Sequence, residues 1–459
     1  MHPVEITQVV VVLAAAIRLV LPWRHHPAAI VIAVILPTGL AATQIAMTGW
    51  RWQMAVLTAA SVLVVGAALA DMRRNDGTGR LLGLSGGLLG LAGMFAAWAL
   101  PVADLPAPTG GHPVGISTAW FADPERGEQW GPATNGPRRV TAHVWYPAVD
   151  SPAPPAAWLA DDQLAAAIAE SFGLPRVLSS HLGDITGHAV RDAPVATDGG
   201  PYPLLIFSHG WSGFSALHSS HFESLASHGW IVVALDHTYA SLITLRADGE
   251  VARLEPTILP DPAEIQAYAE AARGLVATFA ADIELAFAQF PEQLDPDLVA
   301  AIDPYLTAIG GHSTGGGAAI LACSRNRWCD AVVGFDPWVE PVPDEVIGSG
   351  LAVPLLSIRS AEWVALPNDQ RLRRLHAGSS AVEGRIAIAN TVHRDFTIVP
   401  LLSPLIRWNG NWTSTADAQD TLSVVDEWTR QFLDRHVRDR GVDPLQRPPA
   451  DPRVTVSGN

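Results

Sequence analysis

Residues Leu306–Cys323 read LTAIGGHSTGGGAAILAC. An apolar, strand-like run, Leu306 to Ile309, leads into Gly311-His312-Ser313-Thr314-Gly315, and a small-residue, helix-like run, Gly316 to Cys323, leads out. A G-x-S-x-G turn between strand and helix predicts a nucleophile elbow, a bend that holds its serine at an unfavourable backbone angle. Gly311 and Gly315 leave room where Cβ atoms would collide with the flanking strand and helix. Such a turn would lift the Ser313 hydroxyl above the end of a sheet.

Outward from the elbow, apolar strand-like runs alternate with helical patterns. Strands are predicted at Val140–Tyr146, Leu204–Ser208, Ile231–Leu235, Ala331–Phe335, Pro354–Ile358 and Gly384–Ile388. Helices are predicted around His221–His228, over Ala263–Phe290 with a break near Gly274, and over Thr421–Val437. Residues 156–190 read as a loose helical region that could cover a site, and a polar, proline-containing tail closes the chain. This alternation implies an α/β fold whose mostly parallel sheet is covered on both faces.

Parallel sheets carry their reactive groups at the carboxyl ends of the strands. Ser313, Asp336 and His393 fall at such ends, in the chain order expected of an α/β-hydrolase. A serine hydroxyl needs a base to take its proton, and His393 follows the last parallel strand, where that base belongs. Asp336 would fix the imidazole tautomer. Glu362, after the next strand, is the alternative acid. His312 and His237 read as structural. Developing negative charge needs two N–H donors. The backbone N–H of Thr314 is one, and that of Trp211, in the loop His209-Gly210-Trp211-Ser212-Gly213, is the other.

Six segments together resemble the platelet-activating-factor acetylhydrolase family. They are YPLLIFSHGWSG at 202–213, SLASHGWIVVALDH at 224–237, GHSTGG at 311–316, GFDPWVEPV at 334–342, LSIRSAEW at 356–363 and TVHRDF at 391–396. The resemblance spans about residues 110–437. It implies a calcium-independent serine lipase of α/β-hydrolase fold, with Ser313, Asp336 and His393 as triad and Trp211 and Thr314 as oxyanion donors. Threonine follows the serine where that family usually has a bulky aromatic residue. The glycine run Gly315–Gly317 is also similar to that of cutinases and polyester hydrolases, which makes a general short-chain esterase or polyesterase the alternative substrate reading. An inactive scaffold or binding protein is the alternative of another class, and the intact Ser, Asp, His order speaks against it. No cofactor and no metal are implied.

The first 103 residues differ from the rest. They hold six arginines against three acids, Glu5, Asp71 and Asp76, within a 459-residue chain of net charge −16 that contains no lysine. Four apolar segments, Ile6–Pro22, Ala28–Trp50, Trp52–Ala70 and Leu81–Leu100, approach the ~20 residues that cross a bilayer. A transmembrane module of about four helices at 1–103, followed by a hydrolase domain at 104–459, is the predicted organisation. Gly83, Gly86, Gly87 and Gly90 would let another helix approach closely. Arg18 and Arg24, then Arg73, Arg74 and Arg80, flank the first and third loops, so these would face the cytoplasm and the hydrolase would lie outside. There, Cys323 and Cys329 could bridge. The acidic main domain argues against nucleic acid as partner. The implied partners are the bilayer and a lipid or small ester, and Trp158, Leu159 and Phe172 have either an interfacial or a core role.

Overall fold

A computed structural model describes residues 3–20, 27–73, 78–132, 136–408 and 412–457. The described chain falls into two compact units. One comprises residues 1–103 with the short segments Pro175–Asp184 and Leu402–Leu405, and the other holds the remainder.

The first unit is helical: α1 (Pro3–Val20), α2 (Pro27–Thr48), α3 (Trp52–Arg73) and α4 (Thr78–Ala99). Three of these contain stretches long and apolar enough to cross a membrane, Pro3–Val20, Trp52–Ala70 and Gly79–Ala99. The described apolar part of α2, Ala33–Met47, is shorter. α4 packs against both α1 and α3, and its glycines explain how. A Cβ on Gly86 would lie 2.8 Å from Val64 of α3, and one on Gly90 would lie 3.1 Å from Val12 of α1. Apolar side chains such as Leu81, Leu88 and Phe95 remain exposed on α4. Arg51 and Glu5 pair where both are buried. Arg24, Arg74 and Asp76 lie outside the described residues.

The second unit is built on a ten-stranded sheet of order β12-β11-β10-β9-β8-β4-β5-β2-β1-β3. The strands are β1 (Val114–Gly127), β2 (Pro137–Pro147), β3 (Val190–Arg191), β4 (Tyr202–Ser208), β5 (Ile231–His237), β8 (Ile302–His312), β9 (Ala331–Phe335), β10 (Leu355–Ser360), β11 (Glu383–Ile388) and β12 (Val454–Ser457). A separate hairpin pairs β6 (Ile243–Leu245) with β7 (Val251–Arg253). The six strands from β5 to β11 along the sheet are parallel. β2 joins antiparallel to β5, and β12 antiparallel to β11.

Side chains of successive strand residues point to opposite faces, and the core divides accordingly. Leu204, Ile206, Val233 and Val332 pack with the helix Ile265–Gln293 and the elbow helix Thr314–Arg325. Leu205, Phe207, Val232 and Val333 pack with the helix Ser219–Ser227 and the C-terminal helix Ala418–His436.

Two expectations change, the break in the long helix and the plain tail. Ile265–Gln293 runs unbroken through Gly274. The packing of Leu275, Val276, Phe279 and Ile283 onto the sheet outweighs the ~1 kcal/mol a helical glycine costs. Residues 156–190 hold one short α-helix, Asp162–Ser171, and a 3-10 stretch, Arg176–Asp184. Within this region Trp158 and Leu159 are core residues, Trp158 Nε1 donating to the Ala216 carbonyl, while Phe172 is 53% exposed. Finally, the tail is not a plain coil, because it contributes β12.

Candidate active site

The elbow forms at the end of β8. Ser313 has φ 56° and ψ −119°, a backbone angle that L residues rarely adopt. Its neighbours permit it. A Cβ on Gly311 would lie 2.3 Å from the Gly315 carbonyl carbon, and one on Gly315 would lie 2.0 Å from the Ser208 oxygen. The strained turn is fastened to the next strand's loop: Ser313 N–H donates to Phe335 O at 2.9 Å, and Trp338 N–H donates to Ser313 O at 2.8 Å.

Asp336 stands at the end of β9, fully buried. Its Oδ1 accepts the Ser360 N–H at 2.8 Å, and its Oδ2 accepts the Ser360 hydroxyl at 2.6 Å. The same Oδ2 lies 3.0 Å from His393 Nδ1. Burial pushes the Asp336 carboxyl upward, and the two Ser360 donors oppose that. Burial also pushes His393 down, with Arg394 adding to it, so the resting imidazole is neutral. With Nδ1 engaged by Asp336, Nε2 is the ring nitrogen left to take a proton.

The His393 ring is held between two others. Trp363 stacks on it at 4.3 Å and 11°. His312, next to the serine, stacks at 4.3 Å and 28°, and its Nε2 contacts the His393 carbonyl at 3.1 Å. Glu362 is close by but binds a different atom: its Oε2 accepts the His393 backbone N–H at 2.8 Å. Among the described residues no hydrogen bond joins Ser313 Oγ to His393.

The loop after β4 reaches the other side of the serine. Trp211 N–H donates to Thr314 Oγ1 at 3.3 Å. The two residues expected to supply N–H donors are thus in direct contact through the Thr314 hydroxyl. His237 is buried, its ring between Ser208 Oγ at 2.8 Å and Asp282 Oδ2 at 2.9 Å. Cys323 and Cys329 are disulfide-bonded at the end of the elbow helix. Among the described residues no group of three or more His, Cys, Asp or Glu is arranged to hold a metal ion.

Sequence reasoning did not anticipate the rings around His393, the double donation from Ser360, or the backbone role of Glu362. These depend on which strand ends lie side by side, and β9, β10 and β11 are neighbours only in the folded sheet.

The sheet order and the strand-end elbow are those of an α/β-hydrolase fold. The comparisons agree. A solved structure of a ferulic acid esterase from Streptomyces cinnamoneus superposes with a TM-score of 0.63 at 24% identity, over 78% of this chain and 99% of that one. The chain belongs to the family described as platelet-activating factor acetylhydrolase, isoform II, whose model matches residues 100–256 and 283–444. Similar curated proteins are the platelet-activating factor acetylhydrolases of Canis lupus familiaris, 23% identical over 75% of this chain and 80% of that protein, and of Bos taurus, 24% identical over the same shares.

Proposed function

We propose that the chain is a membrane-anchored serine esterase in which Ser313, His393 and Asp336 act as triad and the N–H groups of Trp211 and Thr314 bind the oxyanion. The observation that carries this reading is the 3.0 Å contact of His393 Nδ1, in the loop after β11, with buried Asp336 at the end of β9, the strand beside the elbow strand. Ser313 Oγ attacks the ester carbonyl carbon as its proton passes to His393 Nε2. The carbonyl oxygen, now negative, accepts from the Thr314 N–H and from the Trp211 N–H, which exchanges its 3.3 Å bond to Thr314 Oγ1 for the oxyanion. The tetrahedral species collapses, and the imidazolium gives its proton to the departing alcohol. Water then attacks the acyl-serine by the same base, releasing the acid.

Residues 1–103 act as the anchor and 104–459 as the hydrolase domain, on the outer side of the cell membrane. Three apolar spans and the exposed apolar side chains of α4 support anchoring. The arginine pattern and the bonded cysteine pair support the outer, oxidising side. The substrates are phospholipids whose sn-2 chain is short or oxidised. A tethered site meets lipid at high local concentration, and a short chain leaves the bilayer at small cost. Each buried CH₂ adds about 0.8 kcal/mol to extraction. Four methylenes would therefore slow turnover on the order of a hundredfold.

The test is turnover by the full chain of vesicle phospholipids with graded sn-2 length, beside a soluble acetyl ester and the Ser313→Ala variant. The expected result is a steep fall with chain length and no turnover by the variant. A flat profile overturns the extraction argument. Activity confined to soluble esters assigns a general esterase, and an active Ser313→Ala variant removes the mechanism.

A further inference from the structure

The histidine that opens the Trp211 loop is fully buried, and its ring packs against those of His237 and Phe279. His209 Nδ1 lies 2.7 Å from the carbonyl oxygen of the next residue, Gly210. His209 Nε2 lies 2.7 Å from the Ser241 hydroxyl, and the His237 N–H approaches the same nitrogen at 3.4 Å. Both His209 and Ser241 are fully buried.

These contacts admit one proton arrangement. A carbonyl oxygen only accepts, so Nδ1 carries the hydrogen. Burial keeps the ring neutral, its pKa lowered to about 4. Nε2 is therefore bare, and it accepts from the Ser241 hydroxyl and the His237 N–H. Ser241 also lies 3.1 Å from the His237 carbonyl, a longer contact than the one to the ring.

The Gly210 carbonyl belongs to the same peptide as the Trp211 N–H. That peptide is trans, so its C=O and N–H point in opposite directions within one plane. Holding the oxygen on one side sets the direction of the hydrogen on the other. On that other side the N–H reaches Thr314 Oγ1, beside the nucleophile. The carbonyl has a second donor, the Gly213 N–H at 2.9 Å. Gly213 belongs to the same five-residue loop, whereas His209 is tied through Ser241 to the segment after β5.

We propose that His209 is a positioning residue for ester hydrolysis: its Nδ1–H holds the Gly210 carbonyl and thereby aims the Trp211 N–H at the oxyanion, with Ser241 fixing the tautomer that makes this possible. The inference rests on the assignment of Trp211 as an oxyanion donor made above. It concerns charge that exists only in the tetrahedral species, so it acts on kcat and not on ground-state binding.

The experiment uses the full chain in detergent with p-nitrophenyl acetate as substrate and a short-chain trifluoromethyl ketone, whose serine adduct is an oxyanion, as inhibitor. His209→Ala should lower kcat by about 10²-fold or more, the loss typical of one oxyanion donor, with KM within about twofold. The ketone's inhibition constant should rise in step. His209→Asn, whose side-chain amide donates from near the position of Nδ1, should recover most of the loss, and Ser241→Ala should lose about tenfold because the tautomer is no longer fixed. A purely structural role would lower thermal stability and the active fraction without moving kcat per labelled serine, and would not distinguish Asn from Ala. A His209→Ala variant with kcat within about threefold of the parent, or equal losses for Ala and Asn, overturns the proposal. Where His209→Ala does not fold, the Asn and Ser241→Ala variants decide it: parental kcat in Ser241→Ala, or a loss in Asn as large as about 10²-fold, overturns it. Ser313→Ala is the control beneath all of these. Its retention of turnover would remove the triad itself, whereas a silent Ser313→Ala beside a fully active His209→Ala removes only the role of His209.

Discussion

His393 has two carboxylates within reach of its residue, and they hold different parts of it. Asp336 touches the ring nitrogen, and Glu362 touches the backbone N–H. Only the ring contact selects the tautomer. Asp336→Asn should therefore reduce kcat by about 10³–10⁴-fold at neutral pH, because an amide facing Nδ1 favours the wrong ring proton. Glu362→Gln keeps an acceptor for the backbone N–H and should cost less than about tenfold. Steady-state rates of the two variants on a soluble ester check this, and the reverse ranking would make Glu362 the acid. The three residues of the proposed triad were legible because each ends or follows a strand and their chain order is constrained. Ser360, Trp363 and His312 were not legible, although all three touch Asp336 or His393. A serine or tryptophan beside a strand end has many possible neighbours until the sheet order is known. The order β9-β10-β11 is a long-range property, which local periodicity does not encode.

At the scale of elements, buried parallel strands were the most legible, since uninterrupted runs such as Ile231–Leu235 have few other homes. β1 was missed because its outer half, around Asp123, Glu125 and Arg126, is polar and partly exposed. Its pairing with β2 compensates. In the helical unit the glycines of α4 were readable as close-approach positions, but not which helices would approach. The structure places α1 along one set and α3 along the other. Gly86→Val tests this at a single point. A Cβ there meets the Val64 side chain at 2.8 Å and the Ala60 carbonyl at 3.2 Å, so two backbones must separate. The expected penalty is about 1–3 kcal/mol of bundle stability, the usual cost of overpacking. Thermal unfolding in detergent, followed by the helical signal, should show a lowered midpoint for Gly86→Val. Gly39→Val, with nothing within 4 Å of its Cβ, is the matched control.

Across the whole molecule, histidines far outnumber the one that the proposed chemistry uses, and several are buried without charge. Burial lowers His209 to about 4, and His218 and His312 fall well below the usual value of 6.5. A group held neutral by the fold takes up protons more readily when unfolded. Stability from these residues is therefore complete above about pH 6.5 and is lost as pH falls from there toward 4. His221 runs the other way, because Asp426 outweighs its desolvation. The lowered group is the larger, so denaturant midpoints should decline steadily from pH 7.5 to pH 4.5. Equal midpoints across that range would contradict the neutral assignments. The segments Pro175–Asp184 and Leu402–Leu405 group with the apolar helices, and no shift in residue type marks them in the sequence. The last strand has a consequence of another kind. β12 lies along the outer side of β11, from Arg385–Ser457 to Ile388–Val454, and occupies hydrogen-bonding groups that would otherwise face outward. An uncovered strand edge is a template for another chain. Residues 454–457 thus hem the β11 side of the sheet with a four-residue strand, and removing that strand would lay the β11 edge open to pairing.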